Sequence, residues 1–160
     1  MNINLLRTRG RILLVEDDPE AALFAVTVLA KRGQFTVTHT ADPAVALQLV
    51  AAERWDLVFT DVEMPGMNGL ELLDALRRIA PALPVVVVSS HTDLRAAALL
   101  RHADEFLTKP VRIDQLLATA AGLIDRAARR QEQGYRPVGP GRRCGGGRDT
   151  LRGTPGADQP

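Results

Sequence analysis

The sequence is poor in several things that would each point to a function. It has one cysteine, Cys144. An internal disulfide is therefore excluded, and no Cys/His group has the spacing of a zinc site. Aromatic residues make up 4% of the chain, with one Trp and one Tyr, too few to stack single-stranded nucleic acid. No G-x-G-x-x-G occurs, and no Gly/Ser/Thr-rich loop follows the first apolar run, which removes the usual signs of a dinucleotide or flavin site. The longest uncharged stretch, Ile79 to Thr92, is broken by Pro81 and Pro84 and is too short to cross a bilayer. The N-terminus passes from Arg7, Arg9 and Arg11 into Ile12–Val15 and then into acids, without the longer apolar stretch and small-residue cleavage site of a signal peptide. The expectation is a soluble protein of a reducing cytoplasm with no membrane segment.

Charge of one sign is also lacking: 20 basic residues stand against 19 acidic ones. That balance argues against a basic nucleic-acid binder. It conceals an uneven distribution. Residues 134–160 hold five arginines against Asp149 and Asp158, a surplus of three, which leaves the preceding 133 residues at −2 for a total of +1. The same segment contains 8 of the 13 glycines and 4 of the 10 prolines. Such a composition buries too little apolar surface to offset the entropy of ordering. The sequence therefore predicts an N-terminal extension at 1–8, a globular domain at 9–130, and a disordered Gly/Pro/Arg-rich tail at 131–160 with no output domain.

Within the domain two kinds of segment alternate. Short apolar runs at Ile12–Val15, Phe35–Val37, Leu57–Phe59, Val85–Val88 and Phe106–Leu107 read as strands. Helical spacing of apolar residues marks Pro19–Arg32, Ala44–Glu53, Gly69–Ile79 and Ile113–Arg130, and more weakly Leu94–Arg101. Asp18-Pro19 and Asp42-Pro43 each set a capping carboxylate before a proline at a helix start. Five βα units predict an α/β fold with a parallel sheet covered by helices on both faces.

Sites in such folds form beyond the carboxyl ends of the strands. Glu16, Asp17 and Asp18 follow the first strand, and Thr60 and Asp61 follow the third. Ser89, Ser90 and His91 follow the fourth, and Thr108, Lys109 and Pro110 the fifth. Acids gathered this way repel one another unless a cation joins them. Their oxygen-only donor set suits Mg²⁺. A carboxylate beside Mg²⁺ can attack phosphorus, and Lys109 can stabilise the phosphoryl oxygens. Lys109 is one of two lysines in a chain with 18 arginines. Asp18 reads as a helix cap rather than a metal ligand. Trp55 reads as packing at a helix end, while His39 and His102 suggest no role.

Three segments then carry a resemblance: Ile12-Leu13-Leu14-Val15-Glu16-Asp17-Asp18, Asp61-Val62-Glu63-Met64-Pro65-Gly66-Met67-Asn68-Gly69, and Phe106-Leu107-Thr108-Lys109-Pro110. Together they resemble the receiver domain of bacterial response regulators, the CheY-like phosphoacceptor module of two-component signalling, over roughly residues 9–130. The resemblance implies a doubly wound, flavodoxin-like (βα)5 fold with strand order 2-1-3-4-5. It implies that Asp61 is the phosphoacceptor and that Asp17 binds Mg²⁺ directly. Glu16 would bind the metal through water, and the backbone carbonyl of Glu63 would complete the protein contacts. Ser89 would be the switch hydroxyl, Phe106 the switch aromatic and Lys109 the phosphate-contacting cation, with a cis bond to Pro110. The donor would be a sensor histidine kinase or a histidine phosphotransfer protein. The output would be a contact with a downstream protein, with homodimerisation open, and no nucleic acid is expected as a partner.

The stretch from Ser89 to Lys109 is slightly short for that family, and His102-Ala103 stands where Gly-Ala is usual. Two other readings follow from the same residues: a receiver-shaped scaffold not controlled by phosphate, and an aspartate-nucleophile phosphohydrolase of the haloacid dehalogenase kind. The second would place its nucleophile after the first strand rather than the third.

Overall fold

The computed structural model describes residues 9–134. The extension at 1–8, Cys144 and most of the predicted tail lie outside the described residues. Five strands, β1 (Arg11–Val15), β2 (Thr36–Thr40), β3 (Leu57–Asp61), β4 (Val85–Ser89) and β5 (Glu105–Thr108), form one parallel sheet in the order β2-β1-β3-β4-β5. Helices α1 (Pro19–Thr27), α2 (Pro43–Ala52), α3 (Gly69–Ile79), α4 (Leu94–Leu100) and α5 (Ile113–Gly134) connect and close it. This is the flavodoxin-like arrangement that the alternation and the resemblance implied.

Strand alternation divides the core in two. Leu13, Val15, Val58, Val85, Val87 and Phe106 point to the face covered by α2, α3 and α4. Ile12, Leu14, Leu57, Phe59, Val86 and Leu107 point to the face covered by α1 and α5. Strands buried on both sides are continuous apolar runs for this reason. Helix starts follow the sequence signals. Asp18 and Asp42 accept hydrogen bonds from the amides of Glu20 and Ala44, each beside a proline in the first turn. Asn68 and Glu71 form a reciprocal capping box at the start of α3.

Most element boundaries shift by a residue or two from the sequence expectation, and several of the shifts have a visible cause. The second strand is Thr36–Thr40 rather than Phe35–Val37. It is an edge strand with a partly solvated, polar-alternating TVTHT sequence, while Phe35 packs beneath it in the core. The fifth strand extends one residue beyond the apolar pair at each end. The first helix gives way at Val28–Arg32 to a π-helical turn, in which the Gly33 amide donates to the Val28 carbonyl at 3.1 Å. That widening buries both Val28 and Leu29. The last helix continues to Gly134, so residues 131–134, read as the start of the tail, are helical.

The α4 segment is short, with seven residues. Two residues past its end stands His102, whose φ of 64° is the left-handed conformation that glycine adopts most easily. The Gly-to-His departure from the family pattern falls at that position.

Candidate functional site

Three strand ends bring the acids together. Glu16 follows β1 directly, Asp61 is the last residue of β3, and both are buried, with 5% of their surface exposed. Asp17 is the least buried of the three. One carboxylate oxygen from each of Glu16, Asp17 and Asp61 lies within 4.8 Å of the others. From the end of β5, the Lys109 Nζ donates to Glu16 Oε2 at 3.0 Å and stands 3.3 Å from Asp61 Oδ1. Residues 93 positions apart in the chain are thus in direct contact.

The electrostatics follow from this geometry. Burial raises the pKa of Asp61 above the ordinary aspartate value, and the Glu16 charge adds to the rise, while Lys109 and the Val62 amide oppose it. Burial alone would lower Lys109, but its bond to Glu16 and the charges of Asp61 and Glu16 outweigh it, and its pKa is raised. Three carboxylates against one ammonium leave a deficit of positive charge. The donors are all oxygen, with no thiol or imidazole among them. This chemistry fits a small hard divalent cation. The acidic cluster can hold a metal, with Glu16, Asp17 and Asp61 as its side-chain donors.

Backbone packing fixes where Asp61 points. Its Oδ1 accepts the Val62 amide at 2.9 Å, and the Thr60 hydroxyl donates to its carbonyl at 2.9 Å. Gly69 opens α3 directly against this strand end. A Cβ there would fall 2.0 Å from the Asp61 carbonyl oxygen, so only glycine lets the helix approach. Glu16 is positioned from two sides. Its Oε1 accepts the Asp18 amide at 3.1 Å, and its carbonyl lies 2.8 Å from His39 Nε2. His39, given no role by the sequence reading, thus braces the β1 end from the neighbouring strand. A lone histidine in an edge strand gave no signal for this.

The other expected residues fall in different places. Ser89 is fully buried at the end of β4, and its Oγ accepts the His91 amide at 3.0 Å. The next residue, Ser90, lines the opening beside Asp61 and Lys109. Glu63 sits two residues past Asp61 in the β3–α3 loop, with its side-chain carboxylate turned to the His91 imidazole. Phe106 is buried in the core. Arg95 of α4 lies over its ring at 5.9 Å and donates to its carbonyl at 3.1 Å. The Lys109–Pro110 peptide is cis. Asp18 is the N-cap of α1, and Trp55 closes the end of α2 by donating to the Leu49 carbonyl at 3.1 Å while Arg11 stacks on its ring.

Comparison with known proteins agrees with this geometry. The family model described as the response regulator receiver domain matches residues 12–121. The chain is 34% identical over 131 residues to the DNA-binding transcriptional regulator NtrC of Escherichia coli (strain K12), covering 81% of this chain and 27% of that protein. It thus spans about a quarter of the length of that relative. Among solved structures, the receiver domain of the Francisella response regulator 1452 superposes with a TM-score of 0.69 at 30% identity, covering 73% of this chain and 98% of that one. The Thermotoga maritima response regulator TrrA, solved in complex with Mg²⁺–BeF, superposes with a TM-score of 0.66 at 26% identity, covering 71% of this chain and 97% of that one. Sheet order, acidic cluster and family match agree: this chain belongs to the response regulator receiver domain family of two-component signalling.

Proposed function

We propose that Asp61 accepts a phosphoryl group from a histidine-phosphorylated partner in a Mg²⁺-dependent reaction, and that its phosphorylation changes a protein-binding surface. The observation that carries this reading is the buried Glu16–Asp17–Asp61 cluster bridged by Lys109. In the reading, Asp17 and Asp61 would hold Mg²⁺, with Glu16 and the Glu63 carbonyl completing the protein's contribution to the site. The metal supplies positive charge to phosphoryl oxygens. The carboxylate of Asp61 attacks phosphorus as the bond from phosphorus to the donor's imidazole nitrogen breaks and the imidazole leaves with the bonding pair, and Lys109 shifts its ammonium from Glu16 toward the charge arriving on Asp61.

Ser89 supplies the response. Its hydroxyl accepts from the His91 amide, which leaves its own proton to be donated to a phosphoryl oxygen. Movement of β4 toward the phosphate then alters the space next to Phe106, which Arg95 covers from α4. The output follows as a rearrangement of α4 and β5. The donor in this reading is a sensor histidine kinase or a histidine phosphotransfer protein, the receiver of the signal is a downstream protein, and the setting is the cytoplasm. The Mg²⁺–BeF complex of the Thermotoga relative supports the chemistry, since fluoroberyllate imitates a phosphoryl group on a carboxylate.

Incubation with acetyl phosphate and Mg²⁺, followed by intact-mass measurement, tests the assignment. One phosphate adduct is expected on the native protein, and none on Asp61→Asn or in EDTA. An adduct of equal yield on Asp61→Asn would refute the site. Failure of the native protein to take up phosphate or to bind fluoroberyllate would favour the scaffold reading.

A further inference from the structure

Helices run back against the strands in a parallel sheet, so they end at its amino edge, the pole opposite the acidic cluster. Helix C-termini carry partial negative charge and favour cations. Arg78 stands in the last turn of α3, and Arg126, Arg129 and Arg130 in the second half of α5, all exposed. Among the described residues, none of these four is paired with a carboxylate. The nearby acids are engaged elsewhere: Asp104 with Arg77, Asp74 with Arg101, and Glu53 with Arg11. Asp125 and Glu132 lie closer round α5 to Arg129, which leaves Arg126 and Arg130, one turn apart, unopposed. The same helix ends expose aliphatic side chains, which the helix dipole does not explain. Leu100, last in α4, is 81% exposed, Ile79, last in α3, is 50% exposed, and Leu99 is 42% exposed. The ends of α3 and α4 are tied together, since Arg77 donates to the His102 carbonyl at 2.7 Å and Arg101 pairs with Asp74. A cleft of about 680 Å³, lined by Pro81, His102, Ala127 and Arg130 among others, joins both ends to α5.

We propose that this pole, formed by the ends of α3, α4 and α5, is a docking surface for an anionic lipid membrane. Charge complementarity identifies the partner. Guanidinium groups bind phosphate oxygens through paired donors, and a bilayer of anionic phospholipids presents such oxygens as a sheet. The aliphatic side chains choose between the polyanions. A nucleic acid duplex meets a docking surface with sugar and phosphate and gives Leu100, Leu99 and Ile79 nothing apolar to enter. The boundary between headgroups and acyl chains accepts both the cations and the aliphatic groups. The chain continues from this pole after Gly134 with five more arginines against Asp149 and Asp158. A surface patch and a tethered basic segment are the two signals that stable peripheral attachment takes. The acidic cluster lies at the other edge of the sheet, so docking leaves Asp61 open to the solution. The inference does not depend on Asp61 as phosphoacceptor.

Co-sedimentation of the full chain with vesicles tests this. One set is phosphatidylcholine alone, and the other holds equal parts of phosphatidylcholine and phosphatidylglycerol. Binding is expected only to the anionic set, and it should fall steeply with added NaCl, as exposed charges are screened. Arg126→Gln with Arg130→Gln should weaken it by about 25-fold, roughly five-fold for each arginine. Leu100→Ser, at a site too exposed to matter for folding, should weaken it by roughly three-fold or more. Equal binding to both vesicle sets, or to neither, overturns the proposal. Full binding by the double arginine variant assigns attachment to the chain after Gly134 alone and overturns the role of the pole. A mixed-sequence DNA duplex is the control polyanion. Tighter binding to the duplex than to anionic vesicles, unaffected by Leu100→Ser, would make the pole a nucleic-acid surface and refute the membrane assignment.

Discussion

Replacing Asp61 by Asn should make the metal-free protein more stable and the Mg²⁺-loaded protein less so. With an effective dielectric constant near 20, two like charges no more than 4.8 Å apart, as in Glu16 and Asp61, repel by about 3.5 kcal/mol. The Lys109 ammonium at 3.3 Å returns about 5 kcal/mol on the same scale. Asp17 adds a smaller repulsion because it is the least buried of the acids. The Coulomb terms therefore nearly cancel, and the desolvation of a buried carboxylate decides the sign, as the raised pKa of Asp61 shows. We expect Asp61→Asn to gain about 1–2 kcal/mol in EDTA. That corresponds to a rise in melting temperature of roughly 4 °C per kcal/mol for a domain of this size.

Mg²⁺ reverses the order. At 100 times its dissociation constant, a ligand that binds only the folded state stabilises it by about 2.7 kcal/mol, and Asn, lacking the charge, should capture little of this. The pH dependence has a fixed sign. The folded-state pKa of Asp61 lies above its unfolded value of 3.8, so the native protein loses stability as pH rises from that value through the folded pKa, and the variant does not. The advantage of the variant should thus be present near neutrality and vanish below pH 3.8. Thermal melts of both proteins in EDTA and in MgCl₂ across this pH range are the assay. A variant that is less stable than the native protein in EDTA, or a Mg²⁺ shift equal in both, would refute the account of the cluster.

Three further substitutions probe the backbone, measured by urea unfolding. Gly69→Ala should destabilise by roughly 3 kcal/mol or more, because its Cβ would meet the Asp61 carbonyl, which is backbone and cannot step aside; Gly122→Ala, in open space on α5, should instead stabilise by about 0.5–1 kcal/mol. His102→Gly should stabilise by about 0.5–1 kcal/mol by removing the left-handed strain of a residue with a Cβ.

Much of the site was readable because its residues follow runs that announce themselves. Ile12–Val15, Leu57–Phe59 and Val85–Val88 are buried on both faces, so their ends, and with them Glu16, Asp61 and Ser89, were placed by apolar content alone. Lys109 was legible for a similar reason, as a rare lysine after an apolar pair. What was not legible depends on packing between distant segments. The Thr36–Thr40 strand gains its order from β1 beside it rather than from its own polarity. The π-helical turn at Val28–Arg32 has ordinary helical composition, and its extra residue serves the burial of two side chains. His39 reaches the Glu16 carbonyl only because β2 lies next to β1. The pairing of Glu63 with His91 joins two loops whose separation no sequence periodicity encodes.

The contact between Glu16 and Lys109 spans 93 residues, and β3, which carries Asp61, is the strand that joins β1 to β4 within the sheet. No contiguous fragment of the chain that lacks either edge of that span contains the complete charge cluster. During synthesis, the acid pair after β1 leaves the ribosome long before the ammonium that balances it. A half-made or truncated chain therefore has acids without their counter-charge and is chemically mute. In the reading proposed above, competence to receive a signal becomes a report that the last strand has been threaded into place, so the residues assigned to the transfer also report on the fold.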